Sequence, residues 1–239
     1  MRIYSYKELD STMDIAHELA KKGEEEGTIV LADVQRKGRG RKGNYWESPE
    51  GGLWFSVIFY PKLRKEEIKF LPIVFCVSVI QGLELFLTKR INVKWPNDIE
   101  LDGKKVGGIL LESSWNGDKL EYVICGVGIN LFVPLDFFKD RNLNATSLLP
   151  YLIEKDKFLI LKAIWEKMLL NYENYPYNWD LIYQYYLEKF PYVGKIALIR
   201  QEADSKFVKI LKVSREGALI VEEEGEIKKY EWGEISVRH

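Results

Sequence analysis

The sequence predicts an α+β fold in two parts, a main domain over residues 1–190 and a small all-β domain over residues 191–239. Three observations carry this. Short apolar runs are joined by the turn signals Asp102-Gly103 and Asn116-Gly117, which specify hairpins. Longer runs at 70–88, 155–175 and 179–190 read as helices, the second with apolar residues at spacings of three and four from Phe158 to Tyr172 whose aromatics read as core. After Pro191 the style changes, and 195–238 becomes short β runs with turns at Asp204-Ser205, Glu216-Gly217, Glu224-Gly225 and Trp232-Gly233. Four or five strands in about 45 residues suggest a small SH3-like barrel.

Taken in order, the chain opens with a strand from Ile3 to Tyr6. Asp10-Ser11-Thr12 then precedes an amphipathic run with Met13, Ala16, His17 and Ala20 on one stripe, closed by Gly23. Ser11 and Asp14 have the spacing of a capping box, so capping alone explains Ser11 and Thr12. A hydroxyl at a helix start can also orient a ligand, because the N–H groups there favour acceptors. A strand-like run at 28–33 follows. The alternating run Leu53 to Tyr60 is apolar on both faces and reads as a central strand covered on both sides. Pro61 ends it, and Pro72 is placed to open the next helix.

Between those two strands lies Gln35-Arg36-Lys37-Gly38-Arg39-Gly40-Arg41-Lys42-Gly43-Asn44-Tyr45-Trp46. Five cations fall within seven residues, whereas the whole chain has a net charge of −1, so the cluster is a local feature aimed at a small anion. Its glycines let backbone N–H groups approach a ligand. It is not a Walker A loop. Farther on, Val93 and Trp95 fit a strand that Pro96 stops, leaving Asn97 and Asp98 in a tight turn with Lys94 reaching towards the same end. Lys105 enters the next strand just before Gly107-Gly108, a pair that weakens a strand unless something flat lies against it. Gly126-Val127-Gly128-Ile129-Asn130 lacks the third glycine of a dinucleotide fingerprint, which leaves Asn130 as the residue of interest there.

Composition narrows the chemistry. Hydrophobic residues at 46% and charged residues at 30% give the balance of a soluble globular protein, and no apolar run is long enough to span a membrane. The N-terminal residues have no signal-peptide apolar region, so a cytoplasmic location is expected. Cys76 and Cys125 lie in apolar runs without a metal or redox spacing and read as buried free thiols. With histidine only at positions 17 and 239, Ser-His-Asp and Cys-His mechanisms and a histidine-based metal site are disfavoured. Activation then falls to cations, dipoles and positioning.

Five segments in order, Asp10-Ser11-Thr12, the glycine-rich basic loop, Lys94-Trp95-Pro96-Asn97-Asp98, Lys105 to Leu110, and Gly126 to Asn130, resemble biotin protein ligases. The resemblance covers essentially the whole chain, with Gly233 to Arg238 as its last element. It implies a mixed-sheet catalytic domain of the class II aminoacyl-tRNA synthetase type with an SH3-like C-terminal domain. It also implies the reaction: biotin and Mg-ATP give biotinyl-5′-AMP and pyrophosphate, and a lysine of a biotin acceptor domain in a biotin-dependent carboxylase attacks the adenylate. The residue chemistry agrees, since joining a carboxylate to an α-phosphate brings two anions together and calls for cations.

By the same resemblance, Ser11, Thr12, Met13, Gln35, Arg39, Gly40, Arg41, Lys105, Gly107 and Gly108 are expected around biotin. Arg39, Arg41, Trp46, Lys94, Asn97, Lys105, Asn130 and Arg238 are expected on the ATP side, with magnesium carried by ATP. Arg41, Lys105 and Asp98 are the expected catalytic residues, Asp98 assisting deprotonation of the incoming lysine. Met13 stands where many relatives have asparagine, and Asn44 where arginine is common. A homodimer is expected. The chain begins directly with the catalytic domain, so no DNA-binding role is expected. Lipoate ligase or octanoyltransferase is the alternative enzyme reading. A nucleic-acid-binding module is the alternative from another class, and a net charge of −1 speaks against it.

Overall fold

Strand β1 (Ile3–Leu9), helix α1 (Thr12–Lys21) and strand β2 (Ile29–Gln35) open a computed structural model whose described residues are 1–201, 204–231 and 236–238. Side chains at 200, 201, 204 and 236–238 are not described, so the expected turn at Trp232-Gly233 and the expected contact from Arg238 lie outside the described residues. The strands β1 and β2 pair in parallel, Ile3 opposite Ile29 through Leu9 opposite Gln35, with α1 as the crossover such pairing needs. Gly23, with φ +78°, follows the end of α1 in the left-handed conformation that glycine adopts without steric cost.

Strand β3 (Leu53–Phe59) runs antiparallel to β2 and is buried along its whole length, as its two-sided apolar pattern predicts. The short helix α2 (Lys65–Ile68) and the long helix α3 (Leu71–Glu84) follow, Pro72 lying in the first turn of α3. Strands β4 (Asn92–Lys94), β5 (Asp98–Leu101), β6 (Lys104–Asn116) and β7 (Lys119–Ile129) are successive antiparallel neighbours. The β5–β6 hairpin turns at Asp102-Gly103, both at positive φ, the combination for which this dipeptide is preferred. The resulting mixed sheet has the order β1-β2-β3-β7-β6-β5-β4.

Side-chain alternation divides the core between the two faces of this sheet. Leu31, Phe55, Val57, Cys125 and Val127 pack with α3 and with helix α5 (Lys157–Asn174). Val30, Ala32, Ile58 and Ile124, one residue out of phase, pack with α1. Helices α3 and α5 approach so closely that a Cβ on Gly82 would lie 2.6 Å from the Ile164 Cα, so Gly82→Ala would push the pair apart. Buried Asn171 donates through Nδ2 to the Ser78 hydroxyl and to the Gln81 side-chain Oε1, which satisfies its two donors in that seam.

Helices α4 (Leu135–Asp140) and α6 (Trp179–Glu188) complete the first part of the chain. Strands β8 (Ile196–Gln201), β9 (Asp204–Val213), β10 (Leu219–Glu223), β11 (Glu226–Tyr230) and β12 (Ser236–Arg238) form a five-stranded antiparallel sheet ordered β11-β10-β9-β8-β12. It meets the first part through the Trp95 indole N–H donating to the Gly217 carbonyl and the Tyr183 hydroxyl donating to the Val213 carbonyl, each at 2.8 Å.

Three expectations are corrected. Helix α3 ends at Glu84 rather than near Thr88. Phe158 is half exposed in the first turn of α5, where its position precedes the buried stripe of Ile160, Leu161, Ile164 and Met168. Ser11 occupies the N-cap position of α1, but its side chain makes no capping hydrogen bond. Both cysteines are buried free thiols, and burial pushes each thiol up from its ordinary value.

Candidate functional site

A cavity of about 620 Å³ opens on the α1 side of the sheet, lined by the start of α1, the basic loop, the β4–β5 turn and the backbones of β6 and β7. That volume suits a small molecule. Its floor is glycine. Gly126 and Gly128 alternate with Val127 along β7, and across the pair Gly128 faces Gly108 of β6. Two residues of strand separate Gly126 from Gly128, about 7 Å, so the floor has two adjacent places. Met13 stands over the first and Trp46 over the second.

The first place is walled by a buried polar set. Gln35 Oε1 accepts from the Thr12 backbone N–H at 2.8 Å and from the Thr12 hydroxyl at 3.0 Å, while Gln35 Nε2 donates to Ser48 Oγ at 2.9 Å. The Thr12 hydroxyl also meets Ser56 Oγ on β3 at 2.8 Å. These bonds fix Thr12 and Gln35 before any ligand arrives. Ser11 Oγ, equally buried, has no hydrogen-bond partner among the described residues. A buried hydroxyl without a partner costs about 1–3 kcal/mol, a cost that a polar ligand group in this place removes. Met13 supplies the apolar contact, its Sδ so near Gly126 that a Cβ there would lie 2.7 Å away.

Above the floor the basic loop folds back on itself through Trp46 N–H to the Gly38 carbonyl at 2.9 Å and Gly40 N–H to the Asn44 carbonyl at 2.7 Å. Gly38 is required, because a Cβ there would sit 2.4 Å from the Trp46 carbonyl oxygen. The five cations do not act as one patch. Arg36 and Lys37 each lie 2.8 Å from Asp10, and Arg39 pairs with Asp14 at 2.6 Å and Glu112 at 3.0 Å. Arg41 is the one of these three arginines that turns onto the cavity's β4–β5 wall, its Nη1 donating to Asn97 Oδ1 at 3.2 Å. Burial lowers the Arg41 pKa, and the Asp98 charge opposes that shift. Asn44 lies exposed on the cavity rim.

The second place is cationic and flat. The Trp46 indole lies against Gly128, where a Cβ would be 2.8 Å from the ring, and meets Trp54 edge-on at 6.5 Å. Lys105 Nζ sits 4.6 Å from the Trp46 ring centroid and 2.8 Å from Asp98 Oδ1. Of the Gly107-Gly108 pair only Gly108, with Gly128 opposite it, accepts a flat group, here an indole whose buried Nε1 has no partner among the described residues. Asn97 is buried and donates to the Ile109 carbonyl, so its amide both anchors the turn and orients Arg41.

Ser11, Thr12, Met13, Gln35, Arg39, Gly40, Arg41, Trp46, Lys94, Asn97, Asp98, Lys105 and Gly108 are all brought to this cavity. Gly107 is not. Its absent side chain points towards the Gly128 carbonyl and Ile129, because neighbouring strand residues face opposite ways, and Gly126 lines the cavity in its stead. Asn130 is also off the lining; its Nδ2 donates to the Thr146 carbonyl at 3.0 Å and the Lys105 carbonyl at 3.4 Å, so it holds the backbone behind Lys105. Lys94 lines the wall, but its ammonium pairs at 3.1 Å with buried Glu100, which the Tyr192 hydroxyl also contacts. Sequence reasoning passed over Ser48, Ser56 and Gly126. Ser56 carried one signal, a polar residue inside an otherwise apolar strand.

The pattern of the biotin/lipoate A/B protein ligase family matches residues 6–130. Among curated relatives, the bifunctional ligase/repressor BirA of Bacillus spizizenii is 35% identical over 228 residues, 92% of this chain and 69% of that protein. The biotin--[acetyl-CoA-carboxylase] ligase of Paracoccus denitrificans is 38% identical over 105 residues, 43% of each chain. The solved structure of biotin protein ligase from Aquifex aeolicus in complex with biotin and ATP matches 100% of this chain and 99% of its own, with a TM-score of 0.82 and 30% identity. The chain belongs to the biotin/lipoate A/B protein ligase family.

Proposed function

We propose that this chain is an ATP-dependent biotin protein ligase. A biotin carboxylate oxygen attacks the α-phosphorus of Mg-ATP, a C–O–P linkage forms, and the bond to the β-phosphate breaks to release pyrophosphate. The ε-amine of an acceptor lysine then attacks the acyl carbon and AMP leaves. The acceptor is the biotin carboxyl carrier domain of a biotin-dependent carboxylase. One observation carries the reading: a buried, unpartnered Ser11 hydroxyl and the two cations Arg41 and Lys105 share one cavity.

In this reading the ureido ring of biotin lies by Ser11, Thr12 and Gln35, its thiophane ring by Met13 and Gly126, and its carboxylate points towards Lys105. Arg41 and Lys105 offset the repulsion between carboxylate and α-phosphate and stabilise the charge that accumulates in the transition state. The adenylate base takes the place over Gly108 and Gly128, with Trp46 moving to stack on it. Asp98, beside Lys105, is the group that helps the acceptor amine lose its proton. Arg39, Gly40, Lys94 and Asn97 shape the surrounding wall. Arg238 stays assigned to the nucleotide side by resemblance alone.

The polar set favours biotin over lipoate. A ureido group has two donors and an acceptor to satisfy Ser11 and its neighbours, whereas a dithiolane leaves that hydroxyl unpaired. Thermal shift with biotin, lipoate and octanoate, each with and without Mg-ATP, tests this, since a ligand at a hundred times its Kd adds about 2.7 kcal/mol. Stabilisation by biotin alone is expected, and stabilisation by lipoate but not biotin would overturn the assignment.

The same reading divides the chain into a catalytic domain, 1–190, of class II synthetase type and an SH3-like barrel, 191–239, formed by closure of the five-stranded sheet. It includes a homodimer in the cytoplasm without DNA binding. Pairing of Arg36, Lys37 and Arg39 with carboxylates supports the last point, because those cations are already neutralised. Among the described residues no helix is long and apolar enough to cross a membrane.

A further inference from the structure

Arg39 belongs to the basic loop, yet its guanidinium is gripped from outside it. Nη1 lies 2.6 Å from Asp14 Oδ1 on α1, and Nη2 lies 3.0 Å from Glu112 Oε2 on β6. A planar fork suits two carboxylates at once. Glu112 is itself held, because the same oxygen lies 2.9 Å from His17 Nε2 while His17 Nδ1 lies 3.3 Å from the Tyr122 hydroxyl. The carboxylates thus stand on a helix and a strand of the scaffold, and the cation stands on the segment that roofs the cavity.

The position of this grip matters. The base of the loop is fixed by Arg36 N–H to the Leu9 carbonyl and Lys37 N–H to the Asp10 carbonyl, at 2.9 and 2.8 Å. Over the cavity, the side-chain fastenings include Arg39 to its two carboxylates and Arg41 to Asn97. Neither Asp14 nor Glu112 lines the cavity, so their influence on a bound molecule passes through Arg39.

We propose that Asp14 and Glu112 are positioning residues that form a clasp on Arg39, with His17 as its buttress, and that this clasp holds the loop shut and sets how long the adenylate stays inside. The proposal rests on the ligase reading for the identity of that adenylate. With side-chain exposures of 36% for Arg39, 48% for Asp14 and 34% for Glu112, each pair is weak on its own. The clasp therefore opens for ligand exchange, and removing it changes rates by about tenfold rather than by thousands.

Two readouts on the full chain test it, using Asp14→Asn, Glu112→Gln, their combination and Glu112→Asp. The first is tryptic cleavage within 36–42 in the protein without ligand, which needs no assumption about the reaction. The second is release of biotinyl-5′-AMP, formed on the enzyme and chased without acceptor. The double variant is expected to be cleaved about tenfold faster and to release the adenylate about tenfold faster. Its rate of adenylate formation at saturating biotin and ATP should stay within about twofold of the wild type. Glu112→Asp, which keeps the charge, should recover part of the protection. Wild-type cleavage and release in a folded double variant would overturn the clasp, and faster cleavage with unchanged release would overturn its control of residence. If the wild type forms no adenylate at all, the ligase reading fails, while cleavage still decides whether the clasp exists.

Discussion

Lys105 Nζ lies 2.8 Å from Asp98 Oδ1, and the same ammonium stands 4.6 Å from the centre of the Trp46 ring. Residues that approach each other from β6 and the start of β5 are thus paired on the wall of the cavity. The carboxylate neutralises the cation in the ligand-free protein, and in the proposed reaction an incoming α-phosphate would share or replace it. Lys105→Ala should therefore slow adenylate formation by about 10²- to 10³-fold while weakening biotin binding far less. Single-turnover formation of biotinyl-5′-AMP at saturating biotin measures the first effect, and titration calorimetry the second. Near-normal adenylate formation would remove Lys105 from the mechanism.

Asp98→Asn separates the half-reactions. With the carboxylate gone, transfer from preformed biotinyl-5′-AMP to an acceptor lysine should fall by about 10²-fold, the scale of lost general-base catalysis. Adenylate formation should change much less, because Lys105 keeps its charge. Equal transfer rates from variant and wild type would leave Asp98 only an ion-pair partner.

Ser11→Ala removes a hydroxyl that makes no hydrogen bond among the described residues. Thermal stability without ligand should therefore rise, by up to about 1–3 kcal/mol, in contrast to the loss of about 0.5–2 kcal/mol when a working N-cap is removed. Biotin affinity should fall by about tenfold, the equivalent of one buried hydrogen bond. Melting curves with and without biotin check both halves, and a large loss of stability without ligand would restore a capping role.

Much of the fold was legible from period and turn chemistry. The two-sided apolar pattern of 53–60 specified a covered strand, and Asp102-Gly103 specified a hairpin, because both are local signals. Helices α2 and α4, of four and six residues, are too short to show a period. The cavity was legible as a list of residues but not as an arrangement. Which of Gly107 and Gly108 faces it depends on strand register, and what the Thr12 hydroxyl meets depends on where Gln35 and Ser56 come to lie. The partner of Arg39 was beyond reach, since Glu112 is 73 positions away and only the packing of β6 beside the loop brings it there.

The clasp carries a pH dependence. The hydrogen bond with His17 is the largest influence on Glu112, and with the Arg39 and His17 charges it holds the carboxyl below its ordinary value of 4.5 against the opposing effect of burial. A group depressed in the folded state contributes stability above its unfolded pKa and loses it as pH falls through the lower folded value. Loop protection should therefore be full above about pH 4.5 and decline below it. Hydrogen exchange of amides 38–44, corrected for intrinsic rates, should show this in the wild type, and Glu112→Gln should flatten the profile.

Biotin activation is tested most directly by exchange of labelled pyrophosphate into ATP by the purified chain with magnesium and one of biotin, lipoate or octanoate. This reaction requires reversible joining of a carboxylate to the α-phosphate and needs no acceptor protein. Exchange should be rapid with biotin, at background with the other two acids, and lost with biotin in Lys105→Ala. Exchange driven by lipoate or octanoate and not by biotin, or no exchange with any of the three, would contradict biotin activation.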